Sequence, residues 1–461
     1  MSARVSGGAP YDFVVIGGGQ AGVPLAHALH AAGRRVALVE RKHLGGSCVN
    51  FGCTPTKAAI ASARVAHLAR RAGEFGVGVG PVEVDFPAVL RRARSIAAES
   101  REGLEGGFGG DGPELVRGQA RLAGREAGCY RVAVGERGLL AREVVINTGT
   151  RSLVPTIEGL ASVGFLHAGN WLDHEELPRD LLMVGGGYVG LEMAQFYRRM
   201  GSRVTLVEGG EHVAAHEDPE VSGALQAVLE GEGVEVLTGS RVKRLVPRDG
   251  GLTASIEGER GDERTFSHVF VATGRQPNTD DLGLASLGVT VDGHGIIEHD
   301  ERLATSAPGV WVAGDVRGGP MFTHTSWDDY RILQSQLLGD GSRTTERVVP
   351  YGVFTDPELG RVGMTEAEAR EAGLPVRVAR FDMAGNGRAR EESEVGGFIK
   401  LVLHAGTGRL LGAAVLAAGG AELVHAYVDL MNAGLPVATI ADAVYVHPTR
   451  MEAVQSAARE A

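Results

Sequence analysis

The feature that most restricts this chain's fold is a unit that occurs twice. Residues 12–17, "DFVVIG", form a short apolar run ending in glycine and continue as "GGQAGVPLAHALHAAGRRVALVE". Residues 181–185, "LLMVG", continue as "GGYVGLEMAQFYRRMGSRVTLVE". Each copy reads as a strand, a glycine turn, a helix with apolar residues at helical spacing, and a second strand ending in glutamate. The glycines fall at Gly17, Gly19 and Gly22, then at Gly185, Gly187 and Gly190. The acid follows the first glycine by 23 residues both times, at Glu40 and Glu208. One glycine permits the tight turn, the next lets a pyrophosphate approach the backbone, and the third lets helix and strand pack closely. The helix N-terminus then faces the phosphate charge, and the acid accepts hydrogen bonds from a ribose diol. Two dinucleotide sites in one chain fit electron traffic between a nicotinamide and a flavin.

The second acid bears on the choice of nicotinamide. A 2′-phosphate would be repelled by Glu208, and the "GGEH" that follows offers no arginine to receive it. NADH is expected over NADPH.

The whole length of the chain, 461 residues, suggests about three domains of ordinary size. Hydrophobic residues at 43% and charged residues at 22% give a globular profile. A formal net charge of −11 argues against nucleic acid or an anionic membrane as partner. No apolar run approaches the roughly 18 residues that span a bilayer. "MSARVSGGAPYDFVVIGGG" passes from a polar arm into a strand without the apolar segment of a secretion signal, so a cytoplasmic location is expected.

Two of the three cysteines lie in residues 45–57, "GGSCVNFGCTPTK". So few cysteines make no disulfide framework. One C-x4-C pair without a second group of ligands is a poor zinc site, and no metal is expected. Cys129 stands alone and reads as an ordinary thiol. A redox role for Cys48 and Cys53 is the reading left to test. Positions five apart on a regular helix are rotated by about 140° from each other, too far round for a disulfide. The backbone here is therefore expected to be irregular, with Gly52 giving it latitude. Thr54 and Pro55 read as the cap and first position of a helix continuing "TKAAIASARVAHLARRA". A thiol near that helix start would have its thiolate favoured, which marks a labile, electron-carrying pair rather than a structural one.

With these motifs in order, the chain resembles the class I pyridine nucleotide–disulfide oxidoreductases from about residue 11 to about residue 455. These flavoproteins include dihydrolipoamide dehydrogenase, glutathione reductase and mercuric reductase. The resemblance implies an α/β fold with two Rossmann-like dinucleotide-binding domains, for FAD and NAD, plus a C-terminal α+β dimerisation domain. It divides the chain into an FAD-binding domain with the redox pair at 1–152 and an NAD-binding domain at 153–275. A return to the FAD domain follows at 276–346, and an interface domain at 347–461. FAD would be held by the first glycine turn, Glu40, Ser47, Lys57, Ala120 in "GQA", and Thr148 and Gly149 in "NTGTRSLVP". Asp315 in "GVWVAGDV" would bind its ribityl chain, with Met321, Phe322, Thr323 and His324 against the ring. NAD would be held by the second glycine turn, Glu208, Val242 and Gly274 in "VATGRQPNTD", with Tyr188 covering the nicotinamide pocket. Asn147 departs from the family's usual alanine.

The same resemblance makes Cys48 the interchange thiol that attacks substrate and Cys53 the thiol against the flavin. It sets Lys57 near the flavin's reactive nitrogen with Glu192 as ionic partner. It makes His447 and Glu452, in "VYVHPTRMEAV", an acid–base dyad that reaches the cysteines of the other subunit of a homodimer. The expected activity is NADH-linked reduction of a small disulfide, or the reverse oxidation of a dithiol, most like dihydrolipoamide dehydrogenase. Details such as "GCTPTK" and "FTHTSWDDYRIL" resemble mercuric reductases, but the final "MEAVQSAAREA" lacks their cysteine pair. The alternatives are therefore Hg(II) reduction and a flavoprotein sensor or diaphorase.

Overall fold

The computed structural model describes residues 4–5 and 9–461. Its architecture follows from the repeated unit. In the first copy, strand Tyr11–Ile16 leads through the glycine turn into helix Gly22–Ala31 and then strand Val36–Glu40. In the second, strand Asp180–Val184 leads into helix Tyr188–Met200 and strand Arg203–Val207. Both first strands are flanked in parallel by their own second strand and by a later one. That later strand is Arg137–Ile146 in the first copy and His268–Val271 in the second. Parallel strands covered on both faces must be apolar where they are covered, and 181–184 and 269–271 are apolar and buried.

The two copies agree hydrogen bond for hydrogen bond. Gly17 N–H donates to the Val39 carbonyl at 2.8 Å, and Gly185 N–H to the Val207 carbonyl at 2.9 Å. Both first glycines have positive φ, +108° and +106°. A Cβ on Gly22 would stand 2.1 Å from the Gly17 carbonyl oxygen, and one on Gly190 would stand 1.9 Å from that of Gly185. Only glycine lets each helix start this close to its strand.

The first sheet is completed by parallel strands Glu114–Arg117 and Val310–Val312 and an antiparallel meander through 120–146. The second sheet, all parallel, adds Glu235–Leu237 and Leu166–His167. Residues 350–417 form a five-stranded antiparallel sheet, and two of its three inner strands, Phe398–His404 and Leu410–Ala417, are almost wholly buried. Helix Met451–Arg459 packs its alanines into the core of that sheet. Among the described residues no helix is long and apolar enough to cross a membrane.

One local expectation needs correction. The helix after the cysteines begins at Cys53, with Gly52 as its cap, so Thr54 and Pro55 occupy the second and third positions. The Gly52 carbonyl accepts the first helical bond, from Thr56 N–H at 3.0 Å. This places Cys53 itself in the first turn.

Candidate functional site

A single cavity of about 2420 Å³ runs from the first glycine turn to the second. Both halves of the repeat open into it, and its walls decide whether it fits the two dinucleotides. In each half the terminal acid is already fixed by backbone donors. Glu40 accepts from Gly18 N–H at 2.8 Å and Lys42 N–H at 2.7 Å. Glu208 accepts from Gly186 N–H at 2.6 Å and Gly210 N–H at 2.7 Å. A carboxylate has about four lone-pair sites, so each keeps capacity for a ribose diol. Thr148 adds a buried hydroxyl oxygen without a partner on the cavity wall. These features fit two dinucleotides.

Gly17, Gly19, Ser47, Ala120, Gly149, Asp315 and residues 321–324 line the first half; Gly185, Gly187, Tyr188, Val242 and Gly274 line the second. Gly22 and Gly190 stand behind the wall, where they pack helix on strand. Asn147 fills the space behind the first turn and donates to the Gly17 carbonyl at 3.1 Å.

The cysteines meet where the two halves join. Cys48 lies in the middle of its own short helix, Gly46–Asn50, and the chain then doubles back through Gly52, whose N–H donates to the Ser47 carbonyl at 2.7 Å. A Cβ on Gly52 would lie 2.8 Å from that same oxygen and 3.3 Å from Cys48 Cα, so the reversal requires glycine. It brings the two sulfurs together as unbonded thiols. The Cys48 S–H donates to Cys53, and this bond, with one between Cys53 Sγ and Thr323 Oγ1 at 3.2 Å and the charge of Lys57, lowers the Cys53 pKa to about 6. Cys48 moves the opposite way, because its proton is held by Cys53 and its surroundings are buried.

Lys57 projects from the same helix one turn on, and its Nζ lies 2.6 Å from Glu192 Oε2. Glu192, with 6% of its side chain exposed, also accepts from Phe354 N–H at 2.9 Å, and the Phe354 ring covers the Lys57 ammonium at 4.6 Å. The lysine is thus clamped from two sides. Asp315 accepts from Thr150 Oγ1 at 3.0 Å and has Arg275 Nε at 3.6 Å. His324 donates from Nε2 to the Pro350 carbonyl at 2.6 Å, and burial lowers its pKa.

His447 and Glu452 are close to each other but not to the cavity. The His447 Nδ1–H donates to Glu452 at 3.0 Å, and Thr449 N–H donates to the same carboxylate at 2.9 Å. Those two bonds, the Thr449 one first, hold the Glu452 pKa below the usual carboxylate value. With Nδ1 engaged by Glu452, Nε2 is the ring nitrogen left to meet another group. The histidine side chain is 77% exposed and sits beside Val444 and Val446, which are 98% and 75% exposed.

Several wall residues escaped the sequence reading. Arg241 begins a strand far from the second turn, yet its guanidinium lies over Gly209, next to Glu208. The absence of arginine from "GGEH" therefore does not leave that end of the cavity without positive charge. Tyr351 and Arg275, the latter beside Gly274 in "VATGRQPNTD", also line the cavity.

Comparison with known proteins agrees with this geometry. Residues 11–329 match the model for pyridine nucleotide-disulphide oxidoreductase, and residues 349–458 match that family's dimerisation domain. The chain is 35% identical to mercuric reductase of Streptomyces lividans, covering 97% of this chain and 96% of the relative. It is 31% identical to dihydrolipoyl dehydrogenase of Geobacillus stearothermophilus, covering 98% and 96%. The structure described as the Cu(II) complex of the HOCl-induced flavoprotein disulfide reductase RclA from Escherichia coli superposes with a TM-score of 0.87. That match has 31% identity and covers 96% of this chain and 98% of the other. Two glycine-turn units around one cavity, a cysteine pair at their junction and matches over nearly the whole length make this chain an FAD-dependent member of the pyridine nucleotide–disulfide oxidoreductase family.

Proposed function

We propose that the protein reduces a small disulfide with NADH, through the Cys48–Cys53 pair, and that the reverse direction oxidises a dithiol. The observation that carries this reading is the pair of unbonded cysteines brought together at the head of helix Cys53–Arg71, with Thr323 Oγ1 3.2 Å from the Cys53 sulfur and both cysteines on the wall of the cavity. One sulfur is kept as a thiolate and the other as a thiol, as a thiol-exchange pair needs.

When bound, FAD supplies two-electron transfer from reduced nicotinamide to the cysteine pair; the chain's residues supply the rest. The Cys48 thiol gives its proton to the imidazole of His447 from a second copy of this chain. The Cys48 sulfur then attacks the substrate disulfide and forms a mixed disulfide. The first product thiolate leaves and takes the proton back from the imidazolium. Cys53 thiolate attacks Cys48, reforms the Cys48–Cys53 bond and expels the second thiolate, which takes a proton from solvent by way of the same histidine. Two electrons reach the substrate and two thiols leave. Lys57, held by Glu192, keeps positive charge beside Cys53 throughout.

The homodimer this requires is supported by the dimerisation-domain match and by the apolar, solvent-facing Val444 and Val446 around His447. A chain divided at about 152, 275 and 346 and a cytoplasmic location complete the reading. NADH is preferred because Glu208 faces the ribose, with Arg241 reducing the margin over NADPH. Dihydrolipoamide is the first substrate to try. Soft-metal reduction is the second reading, favoured by a low-pKa thiolate that opens into the cavity and by the Hg- and Cu-associated relatives. Against it, the described residues contain no group of three or more His, Cys, Asp or Glu placed to hold a metal.

The deciding experiment is an anaerobic panel with NADH or NAD: lipoamide, glutathione and coenzyme A disulfides, Hg(II) and Cu(II). Turnover of a disulfide that is lost in Cys48→Ser while flavin stays bound is the expected result. Full turnover by that variant refutes the proposal. A flavoprotein that reduces quinones or oxygen but none of the panel would be the sensor or diaphorase instead.

A further inference from the structure

Tyr188 does not rest against the cavity wall alone. Its hydroxyl lies 2.9 Å from the Tyr351 hydroxyl and 3.1 Å from Glu217 Oε1, and Tyr351 donates to the same Glu217 oxygen at 2.5 Å. The two tyrosine rings lie 5.3 Å apart, and Tyr351 is in turn stacked on Phe322 at 5.2 Å with the planes 14° apart. Glu217 is buried, and its second oxygen faces the guanidinium of Arg361, itself only 1% exposed, at 3.8 Å. Glu217 sits just before helix Pro219–Gly231 of the second nucleotide unit, whereas Tyr351 and Arg361 come from the C-terminal antiparallel sheet. Burial and the Glu217 charge both raise the two phenol pKa values, so the hydroxyls stay protonated donors.

We infer that Tyr351 and Glu217 are positioning residues that latch Tyr188 closed over the nicotinamide pocket, so that nucleotide binding must break the latch. The inference rests on the reading of Tyr188 as the residue that covers that pocket. Glu217 is fixed by Arg361 and Tyr351 by Phe322, so the latch stays in place when Tyr188 leaves it. The one hydroxyl proton of Tyr188, shared between the Tyr351 and Glu217 oxygens, loses both acceptors on opening, and that loss weakens nucleotide affinity. Removing a latch partner lowers the cost of opening and tightens binding. One ordinary hydrogen bond corresponds to about fivefold in a dissociation constant.

The test is calorimetric titration of the FAD-loaded protein with NAD, in the absence of any thiol or disulfide substrate. Wild type, Tyr351→Phe, Tyr188→Phe and the double variant form a cycle, with flavin absorbance and melting temperature checking that each is folded. Tyr188→Phe is expected to bind NAD about fivefold more tightly and Tyr351→Phe more tightly by up to that factor, and Tyr351→Phe is expected to add nothing once Tyr188 is Phe. A purely structural role for Tyr351 would give additive effects in the double variant. Additive effects, or unchanged affinity in Tyr351→Phe, overturn the inference. If Tyr351→Phe does not fold, Glu217→Gln takes its place in the cycle under the same criteria. Failure of wild type to bind NAD at all would instead overturn the underlying functional reading.

Discussion

Cys48 and Cys53 share one turn of chain yet are driven to opposite protonation states. A single proton between two sulfurs belongs to one of them, and Thr323, Lys57 and the uncapped helix start all side with ionised Cys53. Because its pKa is depressed to about 6, the thiolate is populated above that pH and lost below it. Thiolate absorbance of the reduced pair is therefore expected to rise with a midpoint near 6. The largest contribution is the Cys48 hydrogen bond, so Cys48→Ala is expected to move the midpoint upward, and Cys48→Ser less, since a hydroxyl still donates. At the other end of the cavity, Arg241→Glu is expected to raise the KM for NADPH about tenfold with little change for NADH, read from the rate of flavin reduction by each nucleotide. The cysteine pair was legible because spacing, glycine and proline all lie within thirteen residues. Arg241 and Tyr351 were not. Each reaches the cavity from a strand remote in sequence, and nothing in a single sequence states which strand end lies beside which turn.

At the scale of elements, helix Cys53–Arg71 joins three parts of the molecule through one carboxylate. Glu192, on helix Tyr188–Met200, holds Lys57 and also the backbone of Phe354 in the C-terminal region. Glu192→Ala would leave Lys57 without its partner and Phe354 N–H without its acceptor. A loss of about 3 kcal/mol in unfolding free energy is expected, at the low end for a broken buried pair because Lys57 is a third exposed. Denaturant titration of the flavin-loaded variant measures it. The strand–turn–helix–strand units could be read directly, since the glycines and the acid fix local geometry that the hydrogen bonds in both copies reproduce. The helix starts two residues earlier than the threonine and proline suggested, because the Gly52 carbonyl already accepts the first helical bond. The five-stranded antiparallel sheet carried no comparable local signature. Strands such as Phe398–His404 are buried on both faces and show no alternation, so resemblance alone pointed to them.

For the whole molecule, the question is where the second copy attaches and what it contributes. Val444, Val446 and His447 lie together on the outside, away from this chain's own cysteines. Val446→Glu is expected to shift the protein toward monomer in sedimentation. It should abolish disulfide turnover while leaving reduction of bound flavin by NADH intact, because in the proposed mechanism only the thiol step uses the second copy's imidazole. His447→Gln is expected to reproduce the kinetic defect, about 10²-fold or more, without changing the sedimentation. The cavity of about 2420 Å³ has its own consequence for this assembly. Two nucleotide units and a C-terminal sheet meet around a hollow, so FAD serves them as a keystone as well as a reagent. Stripping it out is expected to lower the melting temperature, and refilling to a thousandfold over its dissociation constant to restore about 4 kcal/mol. A cell short of flavin would then accumulate a softened, protease-sensitive chain rather than an idle enzyme.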